Sequence, residues 1–358
     1  MLSFAILPAL ATAALATVTS VPTSLVDADK DVHDAGIGPD QIVAKFVKSS
    51  DGAQIYAEAV GDPSKPPLVL VPGYTLSTIS FDKQFEDEKM RENLYMIRMD
   101  PRGHGQSAMN DTEDGHKSDL YANDFKAVMD AFKVEKPVFA AWSLGGAMLT
   151  DIVVNLGTDA ISGYISIAAI PYIGDVLTEV VSESTLKIVP GMQVSNDTDQ
   201  WKKNAISFED SLFYDPKAVP FDFKAALIGV AAQEPSEVTK LVISRKQDSD
   251  KMKELVKDAG LPLLAINGAQ DSQRISGAAV VDSMKKYWPE DKITHTEVDK
   301  AGHAVFYDQP DETNEHFLTF TLKATGHEDQ IDAVQNGASA AVPSVLALGA
   351  LSLYALLA

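Results

Sequence analysis

The chain has 358 residues, 45% of them apolar, enough to bury a full core in one large domain or two smaller ones. Its formal charge of −21 leaves little that is basic to neutralise phosphates, which argues against nucleic acid as a partner and disfavours highly anionic substrates at long range. There is no cysteine, which excludes disulfides, thiolate metal sites and a cysteine nucleophile.

The chain opens on MLSFAILPALATAALATV, an uncharged apolar segment in which Ala14-Leu15-Ala16 offers a small-x-small cleavage site. This is the pattern of a secretory signal peptide, expected over residues 1–20, with an uncleaved anchor helix as the alternative. Residues 21–40 are acidic and contain Gly and Pro, and are expected to form a mobile lead-in. From Ile42 onward, strand-like and helix-like runs alternate. IVAKFVKS and QIYAEAVG flank Asp51-Gly52, a favoured hairpin turn. PLVLVPG is continuously apolar, as expected of a strand buried on both faces, and LYMIRMD is of the same kind. DPRGHGQS then predicts a tight turn in which His104 shapes the floor of a site. The spacing of Leu120, Phe125, Val128, Met129 and Phe132 predicts a helix over about 119–132.

PVFAAWS, a further buried strand, ends at Ser143, and LGGAMLTDIVVNLG reads as the helix after it. A serine on a sharp strand-to-helix turn presents its hydroxyl above the sheet edge and needs small neighbours two residues away on each side. Gly145 and Ala141 supply them, so Ser143 is the candidate nucleophile. The backbone N–H of Leu144, at the helix start, and that of Tyr74, in the loop after PLVLVPG, are the candidate oxyanion donors. Trp142 and Tyr74 are the expected substrate contacts. After the strand-like GYISIAAI, Asp175 is one candidate acid. The interval up to Leu261 is rich in aromatic residues and too long for a bare loop, which predicts a helical cap over about 171–247. A helix around 250–259 then returns to the core layer, with Met252, Leu255 and Val256 on one face and a stop at Gly260.

PLLAING is followed by Asp271, the preferred acid. ITHTEV, whose His295 is expected to be structural, is followed by His303, the candidate base. The remaining histidines are expected to be exposed or structural. The order Ser143, Asp271, His303 suits a sheet in which strands alternate with helices and run mostly parallel. No cofactor or metal is expected. The tail from Val342 to Ala358 is uncharged and follows the small residues Asn336, Gly337 and Ala338. It is expected to signal lipid (GPI) attachment within 326–341, with a short transmembrane tail as the alternative. Sequons at Asn110 and Asn196 fit a secreted, cell-surface protein.

Taken in order, VPGYTLS, DPRGHGQS, AWSLGG, INGAQD and AGHAVF resemble the α/β-hydrolase superfamily over roughly residues 42–322. Within it the run DLYANDFKAVMDAFKVEKPVFAAWSLGG is most similar to capped serine esterases and metal-free haloperoxidase-like esterases. The resemblance implies an α/β fold with a mostly parallel, eight-stranded sheet flanked by helices, over residues 41–325 with the cap inserted. It implies Ser143 as nucleophile, Asp271 as acid, His303 as base, and Tyr74 and Leu144 as main-chain oxyanion donors. Two positions depart from the family pattern: Pro72 stands where a histidine is common, and Ala141 where a glycine is usual. The expected activity is hydrolysis of small carboxylic esters with an apolar acyl group through an acyl-enzyme. Peracid formation, carbon–carbon bond hydrolysis and a catalytically silent binding protein are the alternatives.

Overall fold

The computed structural model describes residues 23–27 and 40–335. The expected signal peptide and the uncharged C-terminal tail lie outside the described residues. Among the described residues nine strands form one sheet: β1 (Thr23–Leu25), β2 (Ile42–Lys48), β3 (Gln54–Val60), β4 (Pro67–Val71), β5 (Tyr95–Met99), β6 (Val138–Trp142), β7 (Gly163–Ile167), β8 (Leu263–Gly268) and β9 (Ile293–Val298). Their spatial order is β1-β2-β3-β5-β4-β6-β7-β8-β9. Only β2–β3 and β3–β5 pair antiparallel, and all other neighbours are parallel.

The count corrects the expected eight strands. The extra strand, β1, comes from the segment expected to be a mobile lead-in: Thr23 to Leu25 add to the sheet edge in register with Ile42 to Ala44. Edge pairing needs only backbone groups, so an acidic, turn-rich composition does not forbid it. The β2–β3 hairpin forms as its sequence predicts. Gly52 takes φ +92 and the Asp51 carboxylate accepts from Ala53 N–H at 3.1 Å. In β4, Leu68, Val69, Leu70 and Val71 are fully buried, because helices cover both faces of the central sheet.

The helix Ser118–Phe132 buries Tyr121, Phe125, Val128, Met129 and Phe132. Tyr121 therefore takes the inward position that the spacing assigned to Leu120. Its hydroxyl meets His116 Nδ1 at 2.7 Å, giving a buried tyrosine the polar partner that it needs. The long interval after β7 is helical: Val176–Val180, Glu183–Met192, Thr198–Asp210, Phe221–Gln233 and Ser236–Ser244. The helix Ser249–Ala259 then rejoins the core through Met252 and Val256, leaves Leu255 half-buried, and stops at Gly260 in the left-handed region, φ +59. No helix among the described residues is long and apolar enough to cross a membrane.

Parallel strands leave their carboxyl ends on one edge of the sheet, where ligands bind in folds of this class. Five loops gather there: Pro72–Thr75 after β4, the turn at Ser143 after β6, Ala168 after β7, Asp271–Arg274 after β8, and His303 after β9.

Candidate active site

Ser143 closes β6 with φ +54, a left-handed conformation that costs a non-glycine residue about 1–2 kcal/mol. The turn is over-determined by its neighbours. A Cβ at Gly145 would collide with the Pro72 carbonyl oxygen, and one at Gly146 would sit 2.6 Å from the Ala169 Cβ. Gly73 is less tightly constrained, its missing Cβ lying 3.0 Å from the Ser143 Cβ. Ala141 is different. It lies within β6 between Val71 and Ser166, and its methyl is fully buried in the core cluster on the sheet face away from Trp142. One methyl therefore fits at this position, whereas none fits at Gly145.

Asp271 and His303, widely separated in sequence, are brought together: His303 Nδ1 lies 2.8 Å from Asp271 Oδ2. The second carboxylate oxygen of Asp271 accepts from Gln273 N–H at 2.8 Å. With Nδ1–H donated to the carboxylate, Nε2 is the basic nitrogen of the ring. It is buried and has no hydrogen-bond partner among the described residues. Burial pushes the imidazole pKa down; Asp271 opposes this and Arg274 adds to it, leaving His303 below its ordinary value. Burial pushes Asp271 up, but the pull of His303, its hydrogen bond and Arg274 brings the carboxyl below the usual range. The pair is thus a neutral imidazole oriented by an ionised carboxylate. Asp175, the other candidate acid, is exposed at the start of the helix Val176–Val180 and does not pair with His303.

The Ser143 hydroxyl is held by Arg274, whose Nη2 lies 3.4 Å from Oγ, rather than by His303. Catalytic hydrogen bonds in sites without ligand are often long or turned aside, so this leaves the nucleophile–base pairing available. Leu144 is the second residue of the helical turn Ser143–Ala147, where the first N–H groups have no carbonyl within the helix to bond. Tyr74 lies in the loop after β4, whose next residue, Thr75, is also left-handed at φ +56. Beneath the elbow, His104 is buried with Nδ1 3.3 Å from the Arg102 carbonyl, and burial pushes its pKa down to about 4. It stays neutral and structural. Asp100 anchors the same turn by accepting from Thr78 and Gln106 N–H groups at 2.7 and 2.8 Å; burial pushes its pKa up to about 7.

A cavity of about 220 Å³ opens at Ser143, lined by Tyr74, Leu144, Ile170, Phe208, Gln273 and Arg274, among mostly aliphatic neighbours. Tyr74 thus stands where a substrate contact was expected. Its hydroxyl accepts from Gln193 Nε2 at 3.0 Å, and burial pushes its pKa up to about 12. Trp142 does not line this cavity. It is 1% exposed, its Nε1 donates to the His303 carbonyl at 2.9 Å, and its ring packs edge-on to Phe306 at 4.8 Å. The expected substrate contact is therefore a brace for the histidine loop, because alternation along β6 turns Trp142 into the core beneath that loop. The cap grips the loop from above: Leu212 O accepts from Ala304 N–H at 2.7 Å, and a Cβ at Gly302 would lie 2.7 Å from the Phe213 carbonyl carbon. Arg274 and Gln273 carry no signal in the sequence beyond a polar loop, which does not tell which side chain turns inward. Phe208 is one of the aromatic residues that mark the cap in the sequence, and of these it is the one that lines the cavity.

Comparison with known proteins agrees with the fold. Residues 68–316 match the alpha/beta hydrolase family. The chain is 28% identical over 176 residues to the bifunctional esterase/perhydrolase DCH of Acinetobacter calcoaceticus, covering 49% of this chain and 59% of that protein. It is 30% identical over 128 residues to a non-heme chloroperoxidase of Burkholderia pyrrocinia, covering 35% of this chain and 45% of that one. The chain thus spans about half the length of these curated relatives. The crystal structure of an esterase from Rhodococcus sp. ECU1013 superposes with a TM-score of 0.68 over 78% of this chain and 98% of that one, at 23% identity, a likeness of fold alone. With its sheet order, its strained serine turn and a family match over most of its length, the chain belongs to the alpha/beta hydrolase family.

Proposed function

We propose that the protein is a serine-dependent hydrolase of small carboxylic esters. The observation that carries the reading is the strained, left-handed Ser143 at the mouth of an apolar cavity, on the sheet edge that also holds a buried His303–Asp271 pair. Esterase names among its relatives support the same reading. In the reaction, Ser143 Oγ bonds to the ester carbonyl carbon as its proton passes to His303 Nε2. The carbonyl oxygen becomes an oxyanion stabilised by the Leu144 and Tyr74 N–H groups. The carbon–alkoxy bond then breaks, and the alkoxide leaves with the proton from His303. Water attacks the acyl-enzyme by the same route, giving the acid and free Ser143. A cavity of about 220 Å³ is smaller than the ~300–1,000 Å³ of drug-sized sites, which favours short acyl groups. Replacing Ser143 by Ala should abolish both ester turnover and labelling by a fluorophosphonate probe. Undiminished turnover in that variant would refute the assignment.

The name of one relative, an esterase/perhydrolase, favours a second activity on the same acyl-enzyme. Hydrogen peroxide in place of water would release a peracid, with no change in the serine's oxidation level. Peracid formation that depends on both Ser143 and added peroxide tests this. We also propose that the mature protein is secreted and anchored to the cell surface by lipid, on the strength of its uncharged termini. Release from cells by a phosphatidylinositol-specific phospholipase is the expected result, and retention with the C-terminal peptide intact contradicts it.

A further inference from the structure

We propose that Arg274 selects substrates carrying one carboxylate close to the scissile carbonyl. This inference rests on the serine-esterase reading of the site. Arg274 is 4% exposed, lines the cavity, and is the one charged residue among the described residues lining it. Nε donates to the Ala168 carbonyl at 3.0 Å, Nη2 to the same carbonyl and to Ser143 Oγ, and Nη1 to Gln273 O at 3.4 Å. All of these partners are neutral. The other arginines each meet a carboxylate: Arg91 at 3.0 Å, Arg98 at 2.6 Å, Arg102 at 2.7 Å and Arg245 at 2.9 Å. Arg274 meets none at ion-pair distance among the described residues. Asp271, on the same loop, has its two oxygens engaged by His303 and by Gln273 N–H.

A buried cation with no carboxylate at ion-pair distance is costly, and the longer-range pull of Asp271 offsets only part of the burial that pushes Arg274 below its ordinary value. Ala168, which accepts from it, is left-handed at φ +44. The loop itself is tied to the start of the cap, Ile275 N–H to Val180 O and Ser182 N–H to Gln273 O, each at 2.9 Å. Strain and missing compensation retained beside a nucleophile are features of binding sites. The charge also has a chemical consequence. When His303 takes the serine proton it becomes a second cation near the guanidinium, which by itself disfavours that step. A substrate carboxylate on Arg274 compensates both, so its effect is felt where the transition state forms. Since Nη2 already reaches Ser143 Oγ, the carboxylate belongs about two to four bonds from the scissile carbon, as in half-esters of short dicarboxylic acids. A single negative group is compatible with the chain's −21 charge, which opposes highly charged ligands.

The test compares monomethyl succinate with methyl 4-oxopentanoate, in which a methyl ketone replaces the carboxylate at similar size. Fluorophosphonate labelling of Ser143 and turnover of p-nitrophenyl acetate first establish the serine chemistry; their failure sinks the esterase reading itself. In protein that passes, kcat/KM should favour the half-ester by at least about tenfold, the worth of a buried hydrogen bond to a charged group. Arg274→Lys should keep the preference, and Arg274→Met should bring the ratio to one or below. A wild-type ratio of one or less overturns the proposal without recourse to any variant. So does a preference that survives in a folded Arg274→Met, which would leave Arg274 as a strap for the Ala168 carbonyl.

Discussion

The floor of the site and the cap above it are built on different terms. In the floor, Leu68 to Val71 and Val138 to Ala141 are fully buried, and the critical approaches are of backbone to backbone: Gly145 on the Pro72 carbonyl, Gly268 on the Ala301 and Gly302 carbonyls. Such contacts have no side chain that can move aside. The cap also meets the floor through backbone, as where Leu212 O accepts from Ala304 N–H, but its own side chains pack less completely. Ile206 and Phe221 remain 49% and 86% exposed, while Glu209 is buried with Lys224 3.7 Å away, and burial, aided by the like charge of Asp210, pushes its pKa up to about 7. A floor of this kind fixes where the reacting atoms sit. A roof of this kind can change which molecule is accepted without disturbing the chemistry beneath.

That contrast is sharpened most by Asp271→Asn, which keeps the side-chain shape but removes the charge that orients His303. Turnover should fall about 10⁴-fold while the far-ultraviolet circular dichroism is unchanged. Next in size is a matched pair at the elbow. Gly145→Ala forces a methyl onto the Pro72 carbonyl and should lower kcat by about 100-fold, since small misplacements of a nucleophile are that costly. Ala141→Gly should keep kcat within a few-fold and lower stability by about 1 kcal/mol in urea melts. Equal losses in the two variants would break the distinction between the positions. In the cap, Phe208→Ala opens the cavity wall against Tyr74, whose ring centroid lies 6.2 Å away. It should change selectivity between short and longer acyl esters by about tenfold, with the Ser143 labelling rate hardly altered. The smallest effect is on pH. His303 must be neutral to act as base, and its pKa is lowered, so activity is lost only as pH falls below the ordinary histidine range. The kcat/KM profile should retain more than about half its plateau at pH 6.5. An acid limb centred above that value would show that the imidazole is not held low.

Much of the floor could be read along the chain because its determinants are local. The apolar runs of β4, β6 and β8 each end where a loop must turn over the sheet edge, so Ser143 and Asp271 stand out as polar residues at strand ends. His303 stands out in the same way after β9. Trp142 was misjudged because a residue beside the nucleophile looks close to substrate in sequence, whereas the pleat of β6 turns it under the His303 loop. The helix Ser118–Phe132 was legible, but its inward face moved from Leu120 to Tyr121, whose hydroxyl finds His116. The strand β1 was hidden because pairing at a sheet edge is a backbone event with little side-chain signature. Arg274 was hidden for a different reason: its direction is set by the carbonyl of Ala168, 106 residues away, and nothing in the loop around it records that.

The account stands on Ser143 becoming acylated. Protein mixed with a p-nitrophenyl ester of a short acid, quenched in acid within the first turnover and digested, should carry one acyl group, on the peptide containing Ser143. The initial release of nitrophenol should be stoichiometric with chains. Steady turnover with no acylated peptide, or with the acyl group on any other residue, would contradict it.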